Sequence, residues 1–257
     1  MSLQCLPQYL WTFALLASQC FVHVVIYIAT KIKVNKPRAK NSNIIVSVEG
    51  NIGSGKSTLL DRLKLSMFKN KKFVFVQEPV DIWEKIKDET GKSMVQLFYA
   101  DQETYSFMFQ IMAYTSRIKV LKKVLNENQN CIVICERSLF TDKMVFASML
   151  RASNKISSVG YQIYNEMFED FASDFPLHKI IYVNAAPETC LTRVNKRSRV
   201  GESTISLDYL SSCHDYHNEM MNKLPMEKLV LDGNQDILKH EHILNEWLQS
   251  IQQFVEA

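Results

Sequence analysis

Residues Ile44–Leu60 read IIVSVEGNIGSGKSTLL. Ile44 to Val48 is a short β-branched run that suits a buried parallel strand. Gly50-Asn51-Ile52-Gly53-Ser54-Gly55-Lys56-Ser57 then matches G-x-x-x-x-G-K-[ST] at every fixed position. Glycines at these places let backbone N–H groups curl around a triphosphate with no Cβ in the way. Lys56 is expected to reach the β- and γ-phosphates, and the Ser57 hydroxyl to hold Mg²⁺. Ser57 and Thr58 open a helix whose N-terminal dipole favours an anion. The loop marks a nucleoside triphosphate site built from Gly50, Asn51, Gly53, Ser54, Gly55, Lys56, Ser57 and Thr58. It does not say what receives the phosphate.

Outward from this loop, strands alternate with helices. Runs at Phe73–Gln77, Cys131–Glu136, Lys179–Asn184 and Lys228–Asp232 read as four further strands. Helical periodicity covers Ile82–Lys87, Val95–Asn126, Lys143–Arg151, Gly160–Phe171 and Glu241–Glu256, and Pro187 sits early in another helix. This alternation predicts an α/β fold: a five-stranded parallel sheet flanked by helices, of the P-loop kinase kind. The chain's 257 residues allow one such domain, over 44–257, plus an extension over 1–43. A net charge of +3, without a basic stripe interleaved with aromatics, argues against a nucleic acid polymer as partner. The six cysteines form no C-x-x-C, and Cys131 and Cys135 read as core filler in a reducing compartment.

The extension differs in character. No Asp or Glu precedes Glu49, and Leu10–Ala29 is an uncharged, mostly apolar run of about 20 residues, long enough to cross a bilayer. Lys31, Lys33, Lys36, Arg38 and Lys40 follow it, which would place the body of the chain on the cytoplasmic side of a membrane contact through 10–29. A mitochondrial import segment and a dispensable extension are the alternatives.

Four features fall at the carboxyl ends of the expected strands, where open α/β sheets bind ligands. Glu78, in QEPVDIW, can face a terminal phosphate and accept a proton from an incoming hydroxyl, with Trp83 as a flat apolar wall. Glu136-Arg137-Ser138 closes the third strand, with Glu136 as a carboxylate near Mg²⁺ and Arg137 able to steady an oxygen or a phosphate. Arg193, Arg197 and Arg199, followed by Glu202, form a cationic segment able to close over phosphates, though a solvated helix face has the same pattern. In VQLFYADQETYSFMFQIMAYTSR, Val95–Arg117, an aromatic stripe of core type surrounds Gln110, whose amide suits a base edge.

Together EGNIGSGKST, QEPVDIW, LFYADQETYSFMFQ, SRIKVL, ERSLFTDKMVFASML, APETCLTRV and KRSRVGE resemble the deoxynucleoside kinases of the deoxycytidine/deoxyguanosine kinase type, from about Ile44 to the C-terminus. The resemblance implies transfer of the γ-phosphate of ATP, or another triphosphate, to the 5′-hydroxyl of a deoxynucleoside, with Mg²⁺, by a homodimer. It makes Glu78 the general base, Arg137 its partner at the hydroxyl, and Glu136 the carboxylate on the Mg²⁺ side. It gives Tyr99 and Glu202 the 3′-hydroxyl, Gln110 the base, and Trp83, Phe109 and Phe146 the ring walls. Arg193, Arg197 and Arg199 become lid contacts to donor phosphates, and Asp232–Asp236, with Asp232, Gly233 and Asn234 at its start, the donor-base loop.

Arg117 and Asp142 match positions that carry Arg and Asp in the cytosine- and purine-preferring members. A fixed charged pair near the base meets a thymine methyl badly, which predicts deoxycytidine or purine deoxynucleosides over thymidine. Gly201 stands where family members can carry Glu, leaving Glu202 the single lid carboxylate. The stretches Trp83–Tyr99 and Glu202–Lys228 are short relative to some relatives. Three other readings stay open: a thymidine-preferring kinase, a nucleoside monophosphate kinase, and a catalytically silent, membrane-tethered nucleotide-binding subunit.

Overall fold

The first strand is hydrophobic on both sides, because it lies at the centre of the sheet. In the computed structural model, which describes residues 42–67 and 73–257, β1 (Ile44–Glu49) pairs in parallel with two neighbours. It leads into α1 (Lys56–Met67), β2 (Phe73–Val76), α2 (Val80–Lys85), α3 (Met94–Ala100), α4 (Gln102–Glu127) and β3 (Ile132–Glu136). There follow α5 (Leu139–Thr141), a π-helical stretch Asp142–Ala147, α6 (Ser148–Ala152), α7 (Ser158–Ala172) and β4 (Lys179–Asn184). The chain closes with α8 (Pro187–Arg197), a 3₁₀ turn Glu202–Thr204, α9 (Leu207–Lys223), β5 (Glu227–Asp232) and α10 (Glu241–Glu256). The sheet order is β2-β3-β1-β4-β5, all parallel, so each connection crosses over through helices.

Period-2 alternation sends side chains to two cores. Ile45, Val133, Cys135, Ile180 and Tyr182 pack on one face against Tyr114, Leu121 and Tyr164. Val46, Val48, Ile134, Ile181 and Val183 pack on the other against Leu59, Leu60, Leu63, Trp247 and Ile251. Cys131 and Cys135 are buried, as core filler should be. Residues Ser42–Ala257 hold together as one unit. Among the described residues no helix is long and apolar enough to cross a membrane. The apolar run 10–29 lies outside the described residues.

Two helical expectations need correction, and one helix stands where none was expected. Val95–Asn126 is two helices, broken at Asp101, which leaves helical dihedrals and caps α4 by accepting from Thr104 N–H at 3.1 Å. The helix expected over Lys143–Arg151 starts earlier, at Leu139, and its middle is π-helical, a form found mostly at functional sites. Finally, α9 was not foreseen. Its signal is a Ser206 cap, accepting from Tyr209 N–H at 3.1 Å, before buried Leu210, Cys213, His217, Met220 and Met221.

Candidate active site

The phosphate loop keeps its shape through close backbone approach. Gly50 sits at φ +145°, and a Cβ there would lie 2.5 Å from Val183 O; Gly53, at φ +80°, would meet Cys190 O at 2.5 Å. Only glycine fits both the dihedral and the space. Asn51 turns away from the cavity: its Nδ2 donates to Leu210 O at 2.8 Å and its Oδ1 accepts from Ile52 N–H at 2.8 Å. It braces the loop against α9. The Lys56 ammonium donates to Asn51 O at 2.6 Å, and the buried Ser54 hydroxyl takes no hydrogen bond from the described residues. Burial, then the neighbouring Arg137 guanidinium, push Lys56 down to about 7. A cation so poorly compensated is ready for an anion.

Ser57 Oγ donates to Glu136 Oε1 at 2.6 Å, which brings together the hydroxyl and the carboxylate expected to hold Mg²⁺. Among the described residues no group of three or more His, Cys, Asp or Glu side chains could hold a metal. Such a sparse donor set fits Mg²⁺, which keeps its waters and binds through one or two protein groups plus substrate phosphates.

A cavity of about 940 Å³ opens between this loop and the helices beyond β2 and β3. At its centre lies a buried charge network. Arg137 Nη1 donates to Glu78 Oε1 at 2.7 Å and to Oε2 at 2.8 Å. Arg117 Nη2 donates to the same Oε1 at 3.1 Å, while its Nε donates to Asp142 Oδ2 at 2.8 Å and its Nη1 to Glu136 O at 2.7 Å. Arg117 thus sits behind the cavity wall and joins Asp142 to Glu78. Burial pushes the Asp142 carboxyl up, against the pull of Arg117. Burial alone would raise Glu78 as well, but Arg137 and Arg117 outweigh it and hold it at about 2. Arg137 occupies φ +61°, a left-handed conformation that costs a non-glycine residue about 1–3 kcal/mol.

The far end of the cavity is aromatic. Phe109 stacks on Phe98 at 4.5 Å and meets Trp83 edge-on at 5.4 Å, and Trp83 Nε1 donates to Ser116 Oγ at 2.9 Å. Phe146, from the π-helical stretch, lies 5.1 Å below the Arg137 guanidinium. Gln110 is 2 % exposed and lines this end, so its amide, with donors and an acceptor, stands where a base edge could meet it. Tyr99 lines the wall edge-on to Tyr209, and burial, then Glu202, raise its phenol, so it remains a donor. Phe98 and Tyr209 are cavity residues that the sequence reading missed; the first looked like core stripe and the second sits on the unforeseen α9.

The segment expected to act as a lid is tied to its own carboxylate. Glu202 accepts from Arg197 Nη2 at 2.5 Å and from Arg199 Nη1 at 3.4 Å. Arg193 lines the cavity but is already engaged, donating to Ser54 O at 3.1 Å, Gly233 O at 2.6 Å and Gln235 O at 3.1 Å. It ties the phosphate loop to the loop after β5. That loop lies partly on the cavity. Asp232, Gly233 and Asn234 do not line the cavity; Gln235, Asp236, Ile237 and Leu238 do. The carboxylate of Asp232 accepts from Asn234 N–H at 3.1 Å, and Asn234 Oδ1 accepts from Ala186 N–H at 2.9 Å. Those residues shape the turn that presents the next four. Thr58 lines the cavity and Gly50 and Asn51 do not.

The parallel sheet, the phosphate loop and one cavity running from that loop to an aromatic end define a nucleotide-dependent phosphotransferase. The deoxynucleoside kinase family matches residues 46–256, and the chain belongs to it. It is 31 % identical to deoxycytidine kinase 1 of Xenopus laevis, over 82 % of this chain and 90 % of that protein. It is 32 % identical to a probable deoxycytidine kinase of fowlpox virus, over 82 % of this chain and 87 % of that one. It is also 32 % identical to a mitochondrial deoxyguanosine kinase of Xenopus laevis, over 71 % and 74 %. The enzyme is a deoxynucleoside kinase.

Proposed function

We propose that the enzyme phosphorylates the 5′-hydroxyl of deoxycytidine or a purine deoxynucleoside in preference to thymidine, with ATP as donor. The observation that carries this reading is the Asp142–Arg117–Glu78–Arg137 chain, which links the base end of the cavity to the phosphate end. A nucleoside stacked between Trp83, Phe109 and Phe146, with its base edge on Gln110, would direct its 5′-hydroxyl at Glu78. Glu78 would accept that proton while Arg137 steadies the oxygen. Lys56 and the Ser54 hydroxyl would hold the donor phosphates, with Arg197 and Arg199 released from Glu202 to reach them. Ser57 and Glu136 would hold Mg²⁺, which neutralises charge on the β- and γ-oxygens. Glu202 and Tyr99 are assigned to the 3′-hydroxyl: the Glu202 carboxylate would accept its proton, and the protonated Tyr99 phenol can donate to its oxygen. Catalysis is then mostly positioning and charge neutralisation.

The rival monophosphate kinase needs free cations at the acceptor end. The two arginines beside Glu78 are both engaged: Arg117 by Asp142, Glu78 and the Glu136 carbonyl, and Arg137 by both oxygens of Glu78. A turnover assay with deoxycytidine, deoxyadenosine, deoxyguanosine and thymidine decides the base. The expected result is rapid monophosphate formation from one or more of the first three and at least tenfold lower kcat/KM for thymidine, about 1.4 kcal/mol of discrimination. Thymidine as the best substrate refutes the base assignment.

The proposed assembly is a homodimer through α4 and α7. Met108 on α4 and Val159 and Ile163 on α7 are exposed apolar side chains on helices that pack together. Sedimentation equilibrium is expected to give twice the chain mass, and Val159→Glu to halve it; a monomeric parent overturns the assembly.

A further inference from the structure

Glu49 is the last residue of β1 and adjoins Gly50, the first of the phosphate loop. It is fully buried, and one carboxylate oxygen, Oε1, takes no hydrogen bond from the described residues. Its other oxygen, Oε2, accepts from Thr141 Oγ1. A buried carboxylate with one neutral partner stabilises a fold poorly, and a leucine of similar size would serve a core better.

Thr141 explains what the carboxylate does there. Its N–H donates to Ser138 Oγ at 3.4 Å, and its own hydroxyl faces Ser138 N–H at 3.5 Å, a reciprocal capping box. Ser138 follows Arg137, the residue held at φ +61°. Arg137 N–H in turn donates to Val48 O at 3.0 Å, one residue before Glu49. Thr141 also precedes Asp142, which fixes Arg117. One buried contact therefore joins the root of the phosphate loop to the turn that aims Arg137 and to the helix that carries Asp142.

We propose that Glu49 is a positioning residue: through Thr141 it holds the strained Arg137 turn in register with the phosphate loop, so that acceptor hydroxyl and donor phosphate meet in line. A misplacement of about 1 Å between reacting groups can cost on the order of 100-fold in rate. The proposal rests on the assignment of Glu78 and Arg137 to the acceptor hydroxyl.

The test compares Glu49→Leu, Thr141→Val, the double variant and Glu49→Gln in the full chain, measuring kcat, both KM values and Tm. A residue that only stabilised the fold would move Tm and leave the kcat of folded enzyme alone. The expected result is a fall of at least tenfold in kcat for Glu49→Leu and Thr141→Val, with KM within about threefold and Tm held or raised for the leucine variant. The double variant is expected to lose no more than the worse single. Glu49→Gln, whose amide oxygen can still accept from Thr141, is expected to restore most of kcat. Unchanged kcat in Glu49→Leu, additive losses, or failure of Glu49→Gln to restore activity overturns the proposal. Glu78→Gln is measured alongside. If it stays active, the site assignment fails and the proposal with it. If it is dead while Glu49→Leu is fully active, only the positioning role fails.

Discussion

Glu78→Gln is expected to lower kcat by about 10²–10⁴-fold, the usual contribution of a positioned proton acceptor. Donor binding should survive, since Lys56, Ser54 and Ser57 are untouched. The amide keeps the size of the side chain but cannot accept from two guanidiniums as a carboxylate does, so Arg137 and Arg117 lose a charged partner. Part of any loss could then be a disordered site. Glu78→Asp separates the effects: it keeps the charge and withdraws it by one methylene, so the fold holds and kcat still falls at least tenfold. An active Glu78→Gln enzyme with intact Tm would remove Glu78 from the chemistry. The pH profile adds an independent check. Glu78, at about 2 against an ordinary value of 4.5, is ionised throughout the working range, so an acid limb near pH 5–6 should not shift in Glu78→Asp. A weak base suits a loose phosphoryl transfer, in which the hydroxyl proton leaves late. The sign for stability follows from the lowered carboxyl: its stabilisation is full above pH 4.5 and is lost as pH falls toward about 2. Lys56 has the opposite consequence for ligands. Burial brings it to about 7, donor phosphates restore its charge, and donor affinity is therefore expected to weaken as pH rises from about 7 toward 10.5.

The inner strands β1, β3 and β4 were readable because each is a short, nearly continuous apolar run, as burial on both faces demands, whereas the edge strand β5 leaves Val230 exposed. The phosphate loop was readable because its glycines answer local backbone needs that no other residue meets. What failed to show in the sequence depends on closure of the fold. Arg193 carries the charge of a phosphate ligand, but Ser54 O, Gly233 O and Gln235 O become its partners only when α8 lies against the loop after β5. Asp232 and Asn234 look like ligand-facing loop residues, yet Asp232 accepts from the turn's own Asn234 N–H, Asn234 accepts from Ala186 N–H ahead of α8, and the cavity wall is left to Gln235–Leu238. The α9 helix escaped notice because Cys213 and His217 occupy core positions that usually carry larger apolar groups. The pairing of Arg117 with Asp142 was legible from the motif; that the same guanidinium reaches Glu78 was not, because residues 39 positions apart meet only across the top of the sheet.

That shared guanidinium makes substitution of the pair the second large effect. Arg117→Met alone leaves Asp142 buried without its counter-charge, and a broken buried pair costs about 3–5 kcal/mol. For a domain of this size that is a Tm loss of about 10 °C. Asp142→Ala alone should cost less, because Arg117 keeps Glu78 and Glu136 O as partners. In the double variant no buried charge is stranded, so Tm is expected to recover by several degrees over Arg117→Met, a non-additivity that a thermal melt reads directly. Specificity should move with it. Removing both groups takes away the Asp142 carboxylate that lines the cavity and vacates polar volume behind its wall, where a thymine methyl could then be accommodated. The thymidine-to-deoxycytidine ratio of kcat/KM is expected to rise at least tenfold. The absolute rate on the original substrate should fall as well, since Glu78 then faces Arg137 alone and its carboxylate is less firmly held. A ratio that stays put while Tm follows the expected cycle would show that Arg117 and Asp142 serve the Glu78 network and not the choice of base. A ratio that rises with no fall in rate would show the reverse, that the link from Arg117 to Glu78 carries no catalytic weight.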